Sequence, residues 1–268
     1  MIVVKVGGSE GVDFDSVCAD LAEHIREGNK AVLVHGGSHE TTLISEKLGH
    51  PPRFVTSTSG HSSRYTDRET METLAMVMGG RINTLLVEKL QQLGINAIGL
   101  SGVDGKLLVA KRKPTLRVIE DGKTLVLRGE YSGRIEQVNA PLLTTLLEAG
   151  YTPVVAPFAI SLDSELVNVD GDRAAAAIGA ALQAETVVIL SNVPGLLENV
   201  DDPSSLIRSV PSAEAEAVLA EVAKGRMKRK VLGAIEALQS GVGQVILADG
   251  RRSQPVHQAL EGEGTVIE

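Results

Sequence analysis

Apolar residues along the chain follow two alternating patterns. Short, nearly unbroken runs occur at Ile2 to Val6, Ala31 to His35, Ala97 to Leu100, Thr152 to Ala156, Thr186 to Leu190 and Gln244 to Ala248. Strands read this way when both faces of their sheet are covered. Between the runs, helical patterns span Asp13 to Arg26, His39 to Leu48, Asp67 to Leu93, Ala140 to Ala149, Gly171 to Leu182, Ala213 to Val222 and Met227 to Ser240. Most of these stop at a glycine turn, as at Gly28, Gly49, Gly94, Gly150 and Gly241, where a left-handed cap meets no side chain. The alternation predicts β-α-β units and an α/β fold with a mostly parallel sheet.

One stretch departs from it. Lys106 to Arg134 has a two-residue period around Asp121-Gly122, which predicts an antiparallel hairpin excursion. A second, more polar hairpin is expected at Pro51 to Ser63. No repeat, low-complexity segment or Pro-rich linker interrupts residues 1–268, so one domain is expected. Its N-terminal half would cover about 1–158 and its C-terminal half about 159–268.

With 43% hydrophobic residues but only three Phe, three Tyr and no Trp, the core must be aliphatic, and the scarcity of rings argues against an aromatic stacking platform for single-stranded nucleic acid. A net charge of -8 argues against nucleic-acid binding in general. Two basic clusters stand against that background, Lys111-Arg112-Lys113 and Lys224 to Lys230. Each reads as a solvated face, a phosphate site or a docking site for an acidic partner. The one cysteine, Cys18, falls on the stripe Phe14, Val17, Cys18, Leu21, Ile25 and reads as buried core in a reducing, cytoplasmic protein. No basic n-region with a following apolar stretch opens the chain, and no run of eighteen apolar residues suggests a membrane span.

The candidate chemistry sits where strands end. Lys5-Val6-Gly7-Gly8 closes the first strand and His35-Gly36-Gly37-Ser38 the second. Paired glycines there let backbone amides approach an anion, or simply make a tight turn. Neither loop has the spacing of a dinucleotide fingerprint or a P-loop. Lys5 interrupts an apolar run, so its ammonium must either snorkel or reach the strand's carboxyl end, where it could neutralise a transferring phosphoryl group. Asn168-Val169-Asp170-Gly171-Asp172 opens an Ala-rich helix with more Asx residues than capping needs. Asp170 reads as the cap, which leaves Asn168 for substrate and Asp172 to orient lysines. Ser191-Asn192-Val193-Pro194-Gly195-Leu196 follows an apolar strand at the ligand-binding edge. In Gly225 to Lys230, Met227 and Lys230 lie one helical turn apart.

Taken together in this order, these motifs and Arg64-Tyr65-Thr66-Asp67 resemble the amino-acid-kinase family, in its acetylglutamate kinase branch, over essentially the whole chain. Within that branch the sequence looks most like the LysZ-type kinases, which act on α-aminoadipate or glutamate carried on the small protein LysW. Ser38 and Asn192 stand where a typical acetylglutamate kinase has Gly and Asp. The resemblance implies a three-layer α-β-α sandwich and ATP-dependent phosphorylation of a side-chain carboxylate, with Mg²⁺ on the ATP phosphates. It implies that Lys5 and Lys230 flank the transferring group and that Asp172 holds both lysines. Gly7, Gly8, Gly36 and Gly37 would hold phosphate and substrate, Arg64 the substrate α-carboxylate, and Asn168 the substrate. Ser191, Asn192, Val193, Gly195 and Leu196, with Lys224, Gly225 and Met227, would line the nucleotide. It further implies a homodimer and, for an acidic carrier, docking at Lys111, Arg112 and Lys113. An acetylglutamate kinase and a non-catalytic sensor of the same fold are the competing readings.

Overall fold

The structure is a computed structural model that describes every residue except 59, 61, 223 and 224, leaving aside the side chains of 219–222, 225, 226 and 229. The first third of the chain forms β1 (Ile2–Val6), α1 (Phe14–Arg26), β2 (Ala31–His35), α2 (Ser38–Lys47), β3 (Phe54–Ser57), β4 (Ser62–Arg64), α3 (Arg68–Leu74) and α4 (Asn83–Gln92). A π-helical stretch, Ala75–Ile82, joins α3 to α4. The middle forms β5 (Ala97–Gly102), β6 (Leu108–Glu120), β7 (Lys123–Val138), α5 (Ala140–Glu148), β8 (Thr152–Ser161), β9 (Leu166–Asn168) and α6 (Gly171–Ala181). The remainder forms β10 (Thr186–Ser191), β11 (Ser209–Val210), α7 (Ala215–Val222), α8 (Gly225–Gln239), β12 (Gln244–Asp249), α9 (Pro255–Leu260) and β13 (Thr265–Ile267).

The strands described make one sheet, whose central members β12, β10, β1, β2, β8 and β5 are parallel. β1, β2, β8 and β10 are buried on both faces, and their alternate residues feed two cores. Ile2, Val4 and Val6 meet the layer of α1, α3, α4 and α9. Val3 meets the layer of α5, α6 and α8. The expected three-layer sandwich is therefore present. Val6 pairs with both His35 and Leu190, so the loops after β1, β2 and β10 leave the sheet side by side.

The long hairpin is β6 with β7, turning at Asp121 and Gly122 with φ of 50° and 74°. Two left-handed residues in a two-residue loop match the right-handed strand twist. Its register shifts between Lys113 and Thr115, around Pro114, which has no N–H for the ladder. β3 and β4 form the second expected hairpin and pair with β6 through β3. The helix expected over Asp67 to Leu93 contains the π stretch. β8 runs on to Ser161, so the seam expected near residue 159 falls inside a strand. Among the described residues no helix is long and apolar enough to cross a membrane.

Candidate active site

Side chains alternate along β1, so Lys5 falls on the Val3 face and meets the N-terminus of α6. Its Nζ lies 2.7 Å from Asp172 Oδ1, and Lys230 Nζ reaches Asp172 Oδ2 at 2.9 Å from α8. All three side chains are nearly buried. Asp170 caps α6 by accepting from the Asp172 and Arg173 amides at 3.0 and 3.1 Å, the role the sequence assigned it. That cap fixes the first turn and hence Asp172. Burial opposes ionisation of Asp172, but the charges and hydrogen bonds of Lys5 and Lys230 outweigh it and hold its pKa below the ordinary carboxylate range. Burial and the neighbouring Lys5 charge push the Lys230 pKa down, partly offset by Asp172. Two ammonium groups thus share one carboxylate at the end of β1, an arrangement that favours an incoming anion.

The glycine loops pack closer than side chains permit. A Cβ on Gly8 would lie 2.0 Å from Gly37 N, and one on Gly36 would lie 2.4 Å from Gly8 N. The contact is held by the Gly8 carbonyl, which accepts from His39 N at 2.9 Å and Ser38 Oγ at 3.1 Å. The amides expected to bind phosphate divide into two groups. Gly7 N donates to Leu190 O at 2.9 Å and Gly36 N to Val6 O at 2.8 Å, so both are committed to the fold. Among the described residues no acceptor pairs with the amides of Gly8 and Gly37, and these two residues line a hollow of about 250 Å³ with Ser9, His39 and Ile82. Gly7 lets β1 close on β10, since a Cβ there would stand 3.2 Å from Leu190 O.

A chain of contacts runs from these loops to the polar hairpin. Arg64, at the end of β4, donates through Nη2 to Ser38 O at 3.1 Å and Thr42 Oγ1 at 2.9 Å. Its Nη1 is buried without a partner among the described residues, and the guanidinium lies over Phe54, 5.1 Å from the ring centre. Half of a bidentate carboxylate site is therefore left open. Thr66 Oγ1 donates to Arg64 O at 3.3 Å and accepts from Asn168 Nδ2 at 3.2 Å. Glu130 closes the network by accepting from the Thr66 and Ser132 amides at 3.3 and 3.1 Å, and burial raises its pKa.

The loop after β10 divides in two. Asn192 is exposed and Val193 partly so. Ser191 and Gly195 are buried, and Leu196 joins the core while its amide donates to Thr265 Oγ1 at 2.8 Å. Leu196 is thus engaged inside the protein by both side chain and amide. Gly225 opens α8, Met227 packs partly against the core, and Lys224 lies outside the described residues. The basic run on β6 is corrected in its middle member. Arg112 stacks on Tyr131 at 3.6 Å and donates to Glu130 O at 2.8 Å and Glu165 Oε2 at 2.6 Å. It pins the hairpin root to the β8–β9 turn, and only Lys111 and Lys113 are exposed.

The motifs did not single out Asn83, Thr42 or Glu130. Asn83 is 5% exposed inside a long helical stretch, and a polar residue within that apolar spacing was the available signal. Glu130 gives no such signal, because charge on a long hairpin normally faces water.

Comparison with known proteins bears on the whole chain. Residues 1–249 match the pattern of the family described as Amino acid kinase family. The sequence is 55% identical over 267 residues to a "[LysW]-aminoadipate kinase" of Deinococcus radiodurans, covering 100% of this chain and 91% of that protein. It is 51% identical to a protein of the same description from Thermus thermophilus, covering 100% of each. Among solved structures, N-acetylglutamate synthase from Neisseria gonorrhoeae superposes with a TM-score of 0.80 at 23% identity, over 99% of this chain and 58% of that one, which supports the fold alone.

Proposed function

Since the chain belongs to the amino acid kinase family, we propose that it transfers the ATP γ-phosphoryl group to the side-chain carboxylate of α-aminoadipate, or of glutamate, carried on LysW. The observation that carries the reading is the buried set Lys5, Asp172 and Lys230 beside the Gly8–Gly37 contact. A carboxylate acceptor is already ionised at neutral pH and needs no base. Attack of its oxygen on the γ-phosphorus forms an O–P bond as the bond to the ADP oxygen breaks, leaving an acyl phosphate and ADP. The two lysines neutralise charge on the transferring group, and Asp172 keeps them in place without itself taking a proton. Catalysis is then alignment and charge stabilisation. The phosphates suit the donor set of two ammonium groups and unpaired amides, and Mg²⁺ would arrive on the nucleotide. Arg64 Nη1, buried and without a partner among the described residues, is assigned to the substrate α-carboxylate, and Asn168 to contact with the substrate.

The substrate's amino group would be joined to the carrier and must face solvent, with Lys111 and Lys113 as candidate docking charges. We assign the working unit to a cytoplasmic homodimer, which light scattering tests. The deciding assay is hydroxylamine trapping of the acyl phosphate with MgATP. Hydroxamate formed on carrier-linked aminoadipate or glutamate supports the proposal. Product on free N-acetylglutamate alone assigns the chain to that substrate, and no product on either favours a sensor.

A further inference from the structure

We infer that His35 and Asn83 are positioning residues that set the direction of the Gly37 amide in the phosphoryl-transfer site. The inference rests on the kinase reading above. His35 ends β2 with no exposed surface. Its Nδ1 lies 3.0 Å from Gly36 O, and its Nε2 lies 3.1 Å from Asn83 Nδ2. Asn83 Nδ2 also lies 2.9 Å from Val154 O, and a carbonyl can only accept, which fixes the amide's orientation. Asn83 therefore donates to Nε2, so the ring proton sits on Nδ1 and is donated to Gly36 O. Burial lowers the His35 pKa to about 4, so this neutral tautomer persists at neutral pH.

The consequence follows from peptide planarity. Gly36 C=O and Gly37 N–H belong to one rigid unit and point in opposite directions, so holding the carbonyl aims the amide. That amide is one of the two without an acceptor among the described residues, and Gly37 lines the hollow, whereas the Gly36 amide is taken by Val6. Glycine at 36 and 37 permits the peptide between them to turn. Val6 O holds the Gly36 amide and Thr41 N and Oγ1 hold the Gly37 carbonyl, which leaves His35 as the group that holds the Gly36 carbonyl itself. Asn83 supplies the anchor, because it follows the π-helical stretch whose Ile82 and Met78 side chains lie so near Gly37 that a Cβ there would stand 2.6 and 2.8 Å from them. Two buried polar side chains paired this way add little to stability over apolar ones, so their contribution is geometric.

The test uses the full-length enzyme and the variants His35→Leu, His35→Asn and Asn83→Ala. Nitrogen-15 NMR of the wild-type ring should show Nδ1 protonated and Nε2 bare across pH 5.5–8, with its Nε2 signal shifted in Asn83→Ala. In the hydroxamate assay, His35→Leu should lower kcat by about tenfold to a hundredfold, below the ~100- to 1,000-fold that removing such a donor causes. The ATP dissociation constant should change less than about threefold, because one of several phosphate contacts is misdirected rather than lost. His35→Asn, whose Nδ2 can occupy the Nδ1 position, should recover most of that kcat. An Nε2-protonated ring, an unchanged kcat in His35→Leu, or equal losses in the Leu and Asn variants at equal folded fraction would each overturn the inference. If His35→Leu does not fold, the tautomer and the Asn83→Ala kcat still decide it. Wild-type enzyme inactive on every substrate would sink the kinase reading instead, and the ring tautomer would be read independently.

Discussion

Lys5, Asp172 and Lys230 are held by one another more than by solvent, so replacing each has a distinct signature. Lys230→Met removes charge stabilisation while leaving most nucleotide contacts, and kcat should fall by about 100- to 1,000-fold with ATP binding within a few-fold. Retained turnover would remove Lys230 from the mechanism. Asp172→Asn leaves two buried ammonium groups facing each other without a counter-charge, and should cost about 3–5 kcal/mol in urea unfolding at pH 7. The sign of its pH dependence follows from the depressed folded pKa of Asp172. Its contribution is fully present above the unfolded value of about 3.9 and is lost as pH falls through the lower folded value. The gap between wild type and Asp172→Asn should therefore persist at pH 5 and close only in stronger acid. A gap that closes between pH 7 and 5 would contradict the ion-pair assignment.

At the scale of elements, the site depends on how closely β1, β2 and α6 approach. Gly8→Ala places a methyl against the backbone of Gly37, which cannot move without displacing α2. Activity should be lost while far-UV circular dichroism stays near wild type; an active variant would show that the loops separate freely. A remote junction behaves differently. Asp20 on α1 is 4% exposed and accepts from the Val256 and His257 amides at 2.5 and 2.9 Å, capping α9 across the chain. Asp20→Ala should lower stability by about 1–2 kcal/mol with kcat unchanged, as for other lost caps. The central strands and long helices were legible because each spans several periods of its apolar pattern. Strands β9, β11 and β13, of two or three residues, span too few positions to show one. The π stretch keeps the apolar spacing of a helix, so its widened turn leaves no trace in the pattern. Lys5 was legible as a charge in an apolar strand. The turn of Arg112 onto Tyr131 was not, since it depends on a partner across a bulged hairpin. The contact of Lys230 with Asp172, 58 positions apart, was legible only through the resemblance of both motifs to one family.

For the molecule as a whole, one sheet divides two cores, and each core draws on both halves of the chain. Val3 and Val34 pack in one cluster with Val187, Ile189 and Leu247, and Val4 and Leu33 pack in the other with Val188, Leu190 and Ile246. β1 lies between β2 and β10, so neither half keeps a covered sheet if the other leaves. A single cooperative transition is expected in urea even at 268 residues. The one thiol reports on it. Cys18 has no exposed surface, and burial raises its pKa to about 12, so it should resist thiol reagents in the folded protein. Labelling of Cys18 and loss of circular dichroism should then share one midpoint, and saturating MgATP should move both upward together, because a ligand of the folded state stabilises everything that unfolds with its site. Thiol exposure well before the dichroism change would show that α1 and the N-terminal half open alone. The seam near residue 159 would then be a true boundary, despite the strand that runs through it.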